Sequence, residues 1–449
     1  MPPFTPAKLA ILLCGLCLGS FSLLAAGASA DDGLAAVQAD LSHQIALAGP
    51  HDGAYVYDVT TKQVLFSTRA STLRPPASVE KLYTATTALD LMGPTARLST
   101  TVLGVGHMGP AGTWEGSLYL RGGGDPTFGS TAFIRSAYGG VGASVSTLVQ
   151  DLVKGDGIHR ITGSIEGDES YFDSLRGEPS SDYAPDPYLE GTLSALAFNR
   201  GESGSQKGPH APAVFAAHEL WAGLRSAGVS IVGHSGAAAT PAGASTLAVV
   251  QSPQLEELLG LMLPPSDNFF AETLVKDLGA GYGGAGTTAA GAAVVSRTIA
   301  SMFGLHPHVV DGSGLSEEDL TSPYEVVSLL VAVAPTPLGT VLRSKLAVAG
   351  RTGTLSMRMR DTGAAGRCVG KTGTLTGVSN LAGYCQSANG QLIAFAFFND
   401  AIATESAHTF QDHMAITLAD SAISPAEAVA SHTAAHTLAA MRALASLIA

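Results

Sequence analysis

The pattern of the chain changes character twice, near residue 99 and near residue 250, and those two changes bound what it can fold into. Before the first change, residues 33–48 carry a helical spacing. Alternating runs at 53–59 and 63–67 flank the polar Thr60-Thr61-Lys62, which predicts a β-hairpin. Pro75-Pro76 stops the chain, and a helix is expected over 77–92, ended by Gly93-Pro94. Between the two changes, short strand candidates at 100–105, 117–120 and 161–166 recur among glycine-rich turns such as Gly122-Gly123-Gly124-Asp125-Pro126. Helices are expected there at 146–153 and 212–226, with a polar loop over 201–210. Beyond residue 250 the spacing is helical at 255–261, 268–278 and 289–302. Three strands follow at 367–375, 379–386 and 392–398, then helices near 406–419 and from 425 onward. The reading is a mixed α/β (α+β) protein in which residues 99–250 form an inserted α/β domain. Residues 31–98 and 251–449 would build the domain that carries it. At 449 residues the chain exceeds one ordinary core, and 46% hydrophobic residues supply the apolar material for two.

Residues 1–30 read as a signal peptide. Lys8 is the only charge before Asp31, an apolar run spans about 9–26, and Ala28-Ser29-Ala30 offers a small-x-small cleavage site. An uncleaved membrane anchor is the competing reading. No later segment has the length and apolarity to span a bilayer, so the mature protein is expected outside the cytoplasmic membrane, periplasmic, extracellular or cell-wall associated, without a stable membrane span. A net charge of −13 disfavours nucleic acid as a partner. His and Cys do not cluster with ligand spacing, so neither a metal nor another cofactor is expected.

Of four cysteines, Cys14 and Cys17 fall in the leader, leaving Cys368 and Cys385. The strands on either side of Thr376-Gly377 should form a hairpin. The midpoint of positions 368 and 385 is 376.5, inside that pair, so a regular hairpin sets the cysteines opposite one another, within reach of a disulfide. A bulge would put them on opposite faces and leave two free thiols.

Three short strings carry chemistry. Ser78-Val79-Glu80-Lys81 opens a helix, and a spacing of three puts the hydroxyl and the amine on one face. A serine hydroxyl needs a base to become a nucleophile, and a lysine serves once burial or a neighbouring cation lowers its pKa. Ser266-Asp267-Asn268 opens a second helix. Lys371-Thr372-Gly373-Thr374 lies on a strand, where the glycine lets another backbone come close. Each string alone has an ordinary explanation: a helix-start serine with a surface lysine, an N-cap, a Gly/Thr-rich strand. An echo of the third, Arg351-Thr352-Gly353-Thr354, stands twenty residues earlier without a comparable hairpin after it. The three together, in this order and on these elements, are far more specific than any one.

With these strings the chain resembles the class C low-molecular-mass penicillin-binding proteins, the D-alanyl-D-alanine carboxypeptidase/endopeptidase family. Further matching strings are Gly124-Asp125-Pro126, Gly167-Asp168-Glu169-Ser170, Asp311-Gly312-Ser313-Gly314-Leu315-Ser316 and Leu375-Thr376-Gly377-Val378 after the lysine string. The likeness runs from about residue 50 to 420. It implies a serine β-lactamase/penicillin-binding transpeptidase-like fold, an antiparallel sheet flanked by helices. It also implies hydrolysis of peptidoglycan stem peptides ending in D-Ala-D-Ala through an acyl-enzyme, with β-lactams as covalent inhibitors. Residue by residue, it makes Ser78 the nucleophile, Lys81 its base and Ser266 the proton relay to the leaving D-alanine, helped by Lys371. Asn268 would hold the peptide amide. Lys371 and Thr372 beside Gly373 would hold the terminal carboxylate, and the N–H groups of Ser78 and Thr374 would form the oxyanion hole. The family carries a second domain nested in its insertion. Here Phe198-Asn199-Arg200 passes through the polar loop directly to Pro212-Ala213-Val214, leaving no stretch for one.

Two other functions share these strings. A β-lactamase would need fast deacylation, and none of Glu272, Glu317 and Glu318 sits where a deacylating glutamate loop after Asn268 would put it. A β-lactam-binding sensor would have lost the nucleophile, its lysine or the Lys371 string, and all three are present. Steady-state penicillin turnover separates the first from a peptidase, and labelling with fluorescent penicillin tests the second.

Overall fold

The structure is a computed structural model that describes residues 33–201 and 211–423. The expected leader, most of the polar loop and the terminal helix from 425 fall outside the described residues.

One sheet has six strands in the order Ala347–Val348, Cys368–Leu375, Val378–Gln386, Leu392–Asp400, Gly53–Asp58, Gln63–Thr68, antiparallel throughout. The two N-terminal strands therefore complete a sheet begun by the C-terminal ones. Its central strands are buried along nearly their whole length, which explains their continuous apolar sequence: both faces are covered. Ala394, Ala396 and Phe398 face a cluster with the helices Lys81–Leu91, Asn268–Tyr282, Thr288–Phe303 and Pro323–Val333. Ile393, Phe395 and Phe397 face the opposite cluster, with the helix over 33–48 and Thr404–Asp420. Cys368 and Cys385 stand directly opposite each other, with Cα atoms 4.1 Å apart, and are joined by a disulfide, as the hairpin symmetry requires.

The second sheet has seven strands between Ser99 and Gln251. A long antiparallel hairpin, Ser99–Met108 with Thr113–Arg121, is flanked on one side by Ser245–Gln251. On the other side it meets the short strands Arg160–Ile161 and Ile165–Asp168 in parallel, and these pair in turn with Ser230–Ile231 and Ser235–Ala237. Pro212–Ser226 and Val145–Gln150 cover it and share its own core. Ser99 pairs with Gln251, and next to them the Ser252 N–H donates to the Leu98 carbonyl while the Leu98 N–H donates to the Ser252 hydroxyl. The segment thus leaves and rejoins the other domain at one point.

Several local findings differ from the sequence reading, among them the strand Ser245–Gln251 and a helix at Pro337–Ser344. The helix expected over 77–92 is a 3₁₀ turn, Ala77–Glu80, followed by the α-helix Lys81–Leu91. Residues three apart eclipse in a 3₁₀ turn, so Ser78 and Lys81 are stacked more directly than an α-helix would stack them. Thr131–Tyr138 is a further helix, capped by Ser130 and ended by left-handed Gly139. No single helix among the described residues is long and apolar enough to cross a membrane.

Candidate active site

The turn that carries Ser78 is clamped from three sides. Asn380, buried on the strand next to the lysine string, donates its amide to the carbonyls of Pro75 and Pro76 at 2.9 and 3.0 Å. A side chain at Gly373 would come within 2.4 Å of the Pro76 carbonyl, and one at Gly314 within 1.9 Å of the Ala77 carbonyl. Gly373 is therefore required by the protein's own turn packed against the strand, a reason closer at hand than room for a substrate. Ala77 takes a positive φ of 48° as the chain enters the turn.

Lys81 is fully buried, and its Nζ donates to three acceptors: Ser78 Oγ at 2.9 Å, Asn268 Oδ1 at 2.6 Å and the Ser313 carbonyl at 2.7 Å. Burial lowers its pKa to about 8, against the pull of the nearby Asp311, Glu272, Asp267 and Glu80 carboxylates. The Ser313 carbonyl was not legible as functional in sequence. It is presented by the turn at 311–316, which Asp311 pins by accepting the N–H groups of Ser313, Gly314 and Ser316. Gly312 is held from both sides. Its N–H donates to Glu272, one turn after Asn268, and its carbonyl accepts from Thr84, one turn after Lys81. Beneath the lysine, both oxygens of Glu80 lack hydrogen-bond partners, and burial pushes this carboxyl well above the usual range. Glu272 is pushed up to about 8, by burial first and then by Asp311.

Ser266 lies just before the helix Asn268–Tyr282, whose N-cap is Asp267. It is half-buried with a positive φ of 68°, a conformation that costs a non-glycine residue about 1–3 kcal/mol and persists only where its surroundings impose it. Lys371, fully buried, donates from Nζ to Ser266 Oγ at 2.7 Å and to the Thr372 carbonyl at 2.9 Å. Burial, and after it the charge of Lys81, hold its pKa well below the usual lysine value. Thr374 is exposed at the end of its strand. The echo string also reaches the site: Thr372 donates its hydroxyl to Thr354 at 2.8 Å, and the Thr354 N–H donates to Pro264, two residues before Ser266. Thr354 follows Gly353 in a 3₁₀ turn, so the string braces the lysine strand instead of duplicating it.

The eight expected residues thus lie on the 3₁₀ turn and the helix after it, at the start of the helix Asn268–Tyr282, and on the lysine strand. The structure joins them into two lysine–serine pairs, Lys81 with Ser78 and Lys371 with Ser266, with Asn268 bound to the first pair. Asn380, the Ser313 carbonyl and Thr354 complete the surroundings. Each acts through a backbone group or a partner far away in the chain, so neither local spacing nor residue type announces it. Among the described residues no group of His, Cys, Asp and Glu could hold a metal ion.

The chain matches the D-Ala-D-Ala carboxypeptidase 3 (S13) family over residues 34–202 and 188–421. It is 29% identical to the D-alanyl-D-alanine carboxypeptidase of Actinomadura sp. (strain R39), over 84% of this chain and 82% of that one. It is 30% identical to Carboxypeptidase Rv3627c of Mycobacterium tuberculosis, over 77% and 75%. The fold resembles the crystal structure of penicillin binding protein 4 (dacB) from Haemophilus influenzae, with a TM-score of 0.70 at 21% identity, covering 84% of this chain and 97% of that one. The chain belongs to the D-Ala-D-Ala carboxypeptidase 3 (S13) family and is a serine-type D-Ala-D-Ala carboxypeptidase.

Proposed function

We propose that Ser78 is the nucleophile of this carboxypeptidase and that the two lysine–serine pairs divide the proton transfers between them. The observation that carries the proposal is Lys81, fully buried, with its pKa lowered to about 8 and its Nζ 2.9 Å from Ser78 Oγ. A neutral amine has two N–H groups. Asn268 Oδ1 and the Ser313 carbonyl accept them, which leaves the lone pair toward the Ser78 hydroxyl. Lys81 takes the Ser78 proton as Oγ bonds to the carbonyl carbon of the penultimate D-alanine. The N–H groups of Ser78 and Thr374 hold the oxyanion. As the carbon–nitrogen bond breaks, the terminal D-alanine leaves with a proton from Ser266, which Lys371 restores across 2.7 Å. Thr372 and Thr374 receive the terminal carboxylate, with the Lys371 charge behind them, and Asn268 holds the preceding amide. Water then adds to the ester carbonyl, giving its proton to Lys371, and Ser78 Oγ leaves with the proton Lys81 took from it as the shortened peptide is released. A β-lactam enters the same route and stays on Ser78.

The substrate is a cell-wall stem peptide ending in D-Ala-D-Ala. We also propose that the protein acts outside the cytoplasmic membrane, on the strength of the leader pattern in residues 1–30 and the Cys368–Cys385 disulfide. The mass of the mature protein, expected to begin at Asp31, tests the export reading.

Incubation with a cell-wall pentapeptide should release free D-alanine, identified by mass. Ser78→Ala should abolish both that release and labelling by fluorescent penicillin while the protein stays folded, and equal labelling of the mutant would reject Ser78. Because the base must be neutral, the acylation rate should rise as the pH climbs through about 8. A flat profile across that range would remove Lys81 from the role.

A further inference from the structure

The string Ser266-Asp267-Asn268 supplies two residues to the site, and the residue between them is held from outside the catalytic domain. Asp267 uses one carboxylate oxygen to cap its helix, accepting the Phe270 N–H at 3.0 Å. The other is bound by the guanidinium of Arg200, which belongs to the segment between Ser99 and Gln251. Arg200 is largely buried and lies over the rings of Phe269 and Phe270, 5.1 and 5.7 Å from their centroids. Its other fork nitrogen approaches Glu190 at 3.6 Å.

Arg200 is itself rigidly mounted. It and Asn199 both have positive φ, 61° and 50°. The Asn199 side chain accepts the Ser130 N–H at 2.9 Å, its own N–H donates to Phe128, and the Arg200 carbonyl accepts from Thr192. Two residues before it, Phe198 is buried in the core of the seven-stranded sheet. A second contact from the same segment reaches Asn268, whose amide donates to the Tyr188 carbonyl at 2.8 Å.

We propose that Arg200 is a positioning residue for acylation: by holding Asp267, it keeps Ser266 and Asn268 in register with Lys371 and Lys81. The proposal rests on the roles given above to those four residues. The physical reason is the backbone at Ser266, whose left-handed conformation must be imposed by its neighbours. On its N-terminal side Ser266 and Asp267 are tied to Leu263 and Met262 by backbone bonds. On its C-terminal side Asp267 is held by the helix cap and Arg200, and Asn268 by Lys81 and the Tyr188 carbonyl. Without Arg200 the second oxygen of Asp267 loses its partner, the peptide between 266 and 267 is free to relax, and Ser266 Oγ moves off Lys371. A residue that only stapled two domains together would change melting and leave the chemistry of the folded protein alone.

Stopped-flow acylation by a chromogenic penicillin separates the rate at saturation from the binding constant. Arg200→Met should lower the saturating rate by ~10–100-fold, the scale set by displacing a reacting group by about 1 Å, and change the binding constant by less than about 3-fold. Arg200→Lys keeps the charge but not the planar fork and should recover part of that rate. It also carries the test if the methionine variant fails to fold. Adding Asp267→Asn to Arg200→Met should cost no more than the worse single change, because the two act as one unit. A folded Arg200→Met protein with the wild-type saturating rate, a loss confined to binding, or losses that multiply in the double variant would each overturn the proposal. Failure of the wild-type protein itself to be acylated would instead strike the site assignment on which it rests.

Discussion

Strand Leu392–Asp400 pairs over its whole length with Val378–Gln386 on one side and through six residues, Ile393 to Phe398, with Gly53–Asp58 on the other. In the second sheet, Arg160–Ile161 pairs through only two residues with each of its neighbours. The first sheet is antiparallel, covered on both faces and closed by a disulfide. The second is mixed in direction, and its hairpin ends in exposed residues around 105–108. The six-stranded sheet bears the lysine strand, and the turn that carries Ser78 packs on it. Among the described residues, the hydrogen bonds from the inserted region to Asp267 and Asn268 come from the segment that carries Tyr188 and Arg200. Precision is concentrated where long paired strands over-determine each position.

This contrast is open to test. The largest effect should come from Leu220→Ala, which empties a fully buried position in the core of the inserted region. A cost of ~2–5 kcal/mol is expected, read as an earlier melting step for that region, with penicillin labelling at 25 °C close to wild type. Labelling that collapses in proportion would mean that the two regions are one cooperative unit. Next comes the disulfide: replacing both Cys368 and Cys385 by alanine should cost about 3 kcal/mol, confined to the six-stranded region. Equal melting with and without the bridge would show that the strands hold the register unaided. The smallest effect concerns Glu80. Its carboxyl keeps its proton in the folded state at pH values where the unfolded chain has lost it. Stability therefore falls as the pH rises above the ordinary glutamate range of about 4–4.5. Glu80→Gln removes that slope, so the variant should melt roughly 2–4 °C higher than wild type at pH 8 and level with it near pH 4. Parallel pH profiles would show that Glu80 is ionised in place.

What could be read in advance follows the same division. That Ser78, Lys81, Ser266, Asn268 and Lys371 come together was legible from residue types at short spacing on two helix starts and a strand. The cysteine pair was legible because a regular hairpin has a centre that can be counted. The strand pairings at 165–168 and 235–237 were not fully legible: three or four residues are too few to show an alternation. Arg200 gave no signal because its meaning lies in a partner 67 positions away. The Ser313 carbonyl gave none because any residue supplies a carbonyl, and only the turn around Asp311 aims it. Thr354 stood in plain view, in a string set aside as an echo, and its role emerges only when the turn is seen against the lysine strand.

The pairing of Asp58 with Ile393 also has a temporal side. The two are 335 positions apart, a stretch that a ribosome working at ~5–20 residues per second makes in roughly 17–67 s. Throughout that interval the hairpin at 53–68 exists without the strand that will flank it, and its outer edge is open to any other extended chain. The region between Ser99 and Gln251, whose ends meet, needs nothing made later to close its sheet. The last parts of the chain to be synthesised therefore decide whether the first become part of an enzyme or of an aggregate. A truncation short of residue 400 should lose solubility before it loses anything else.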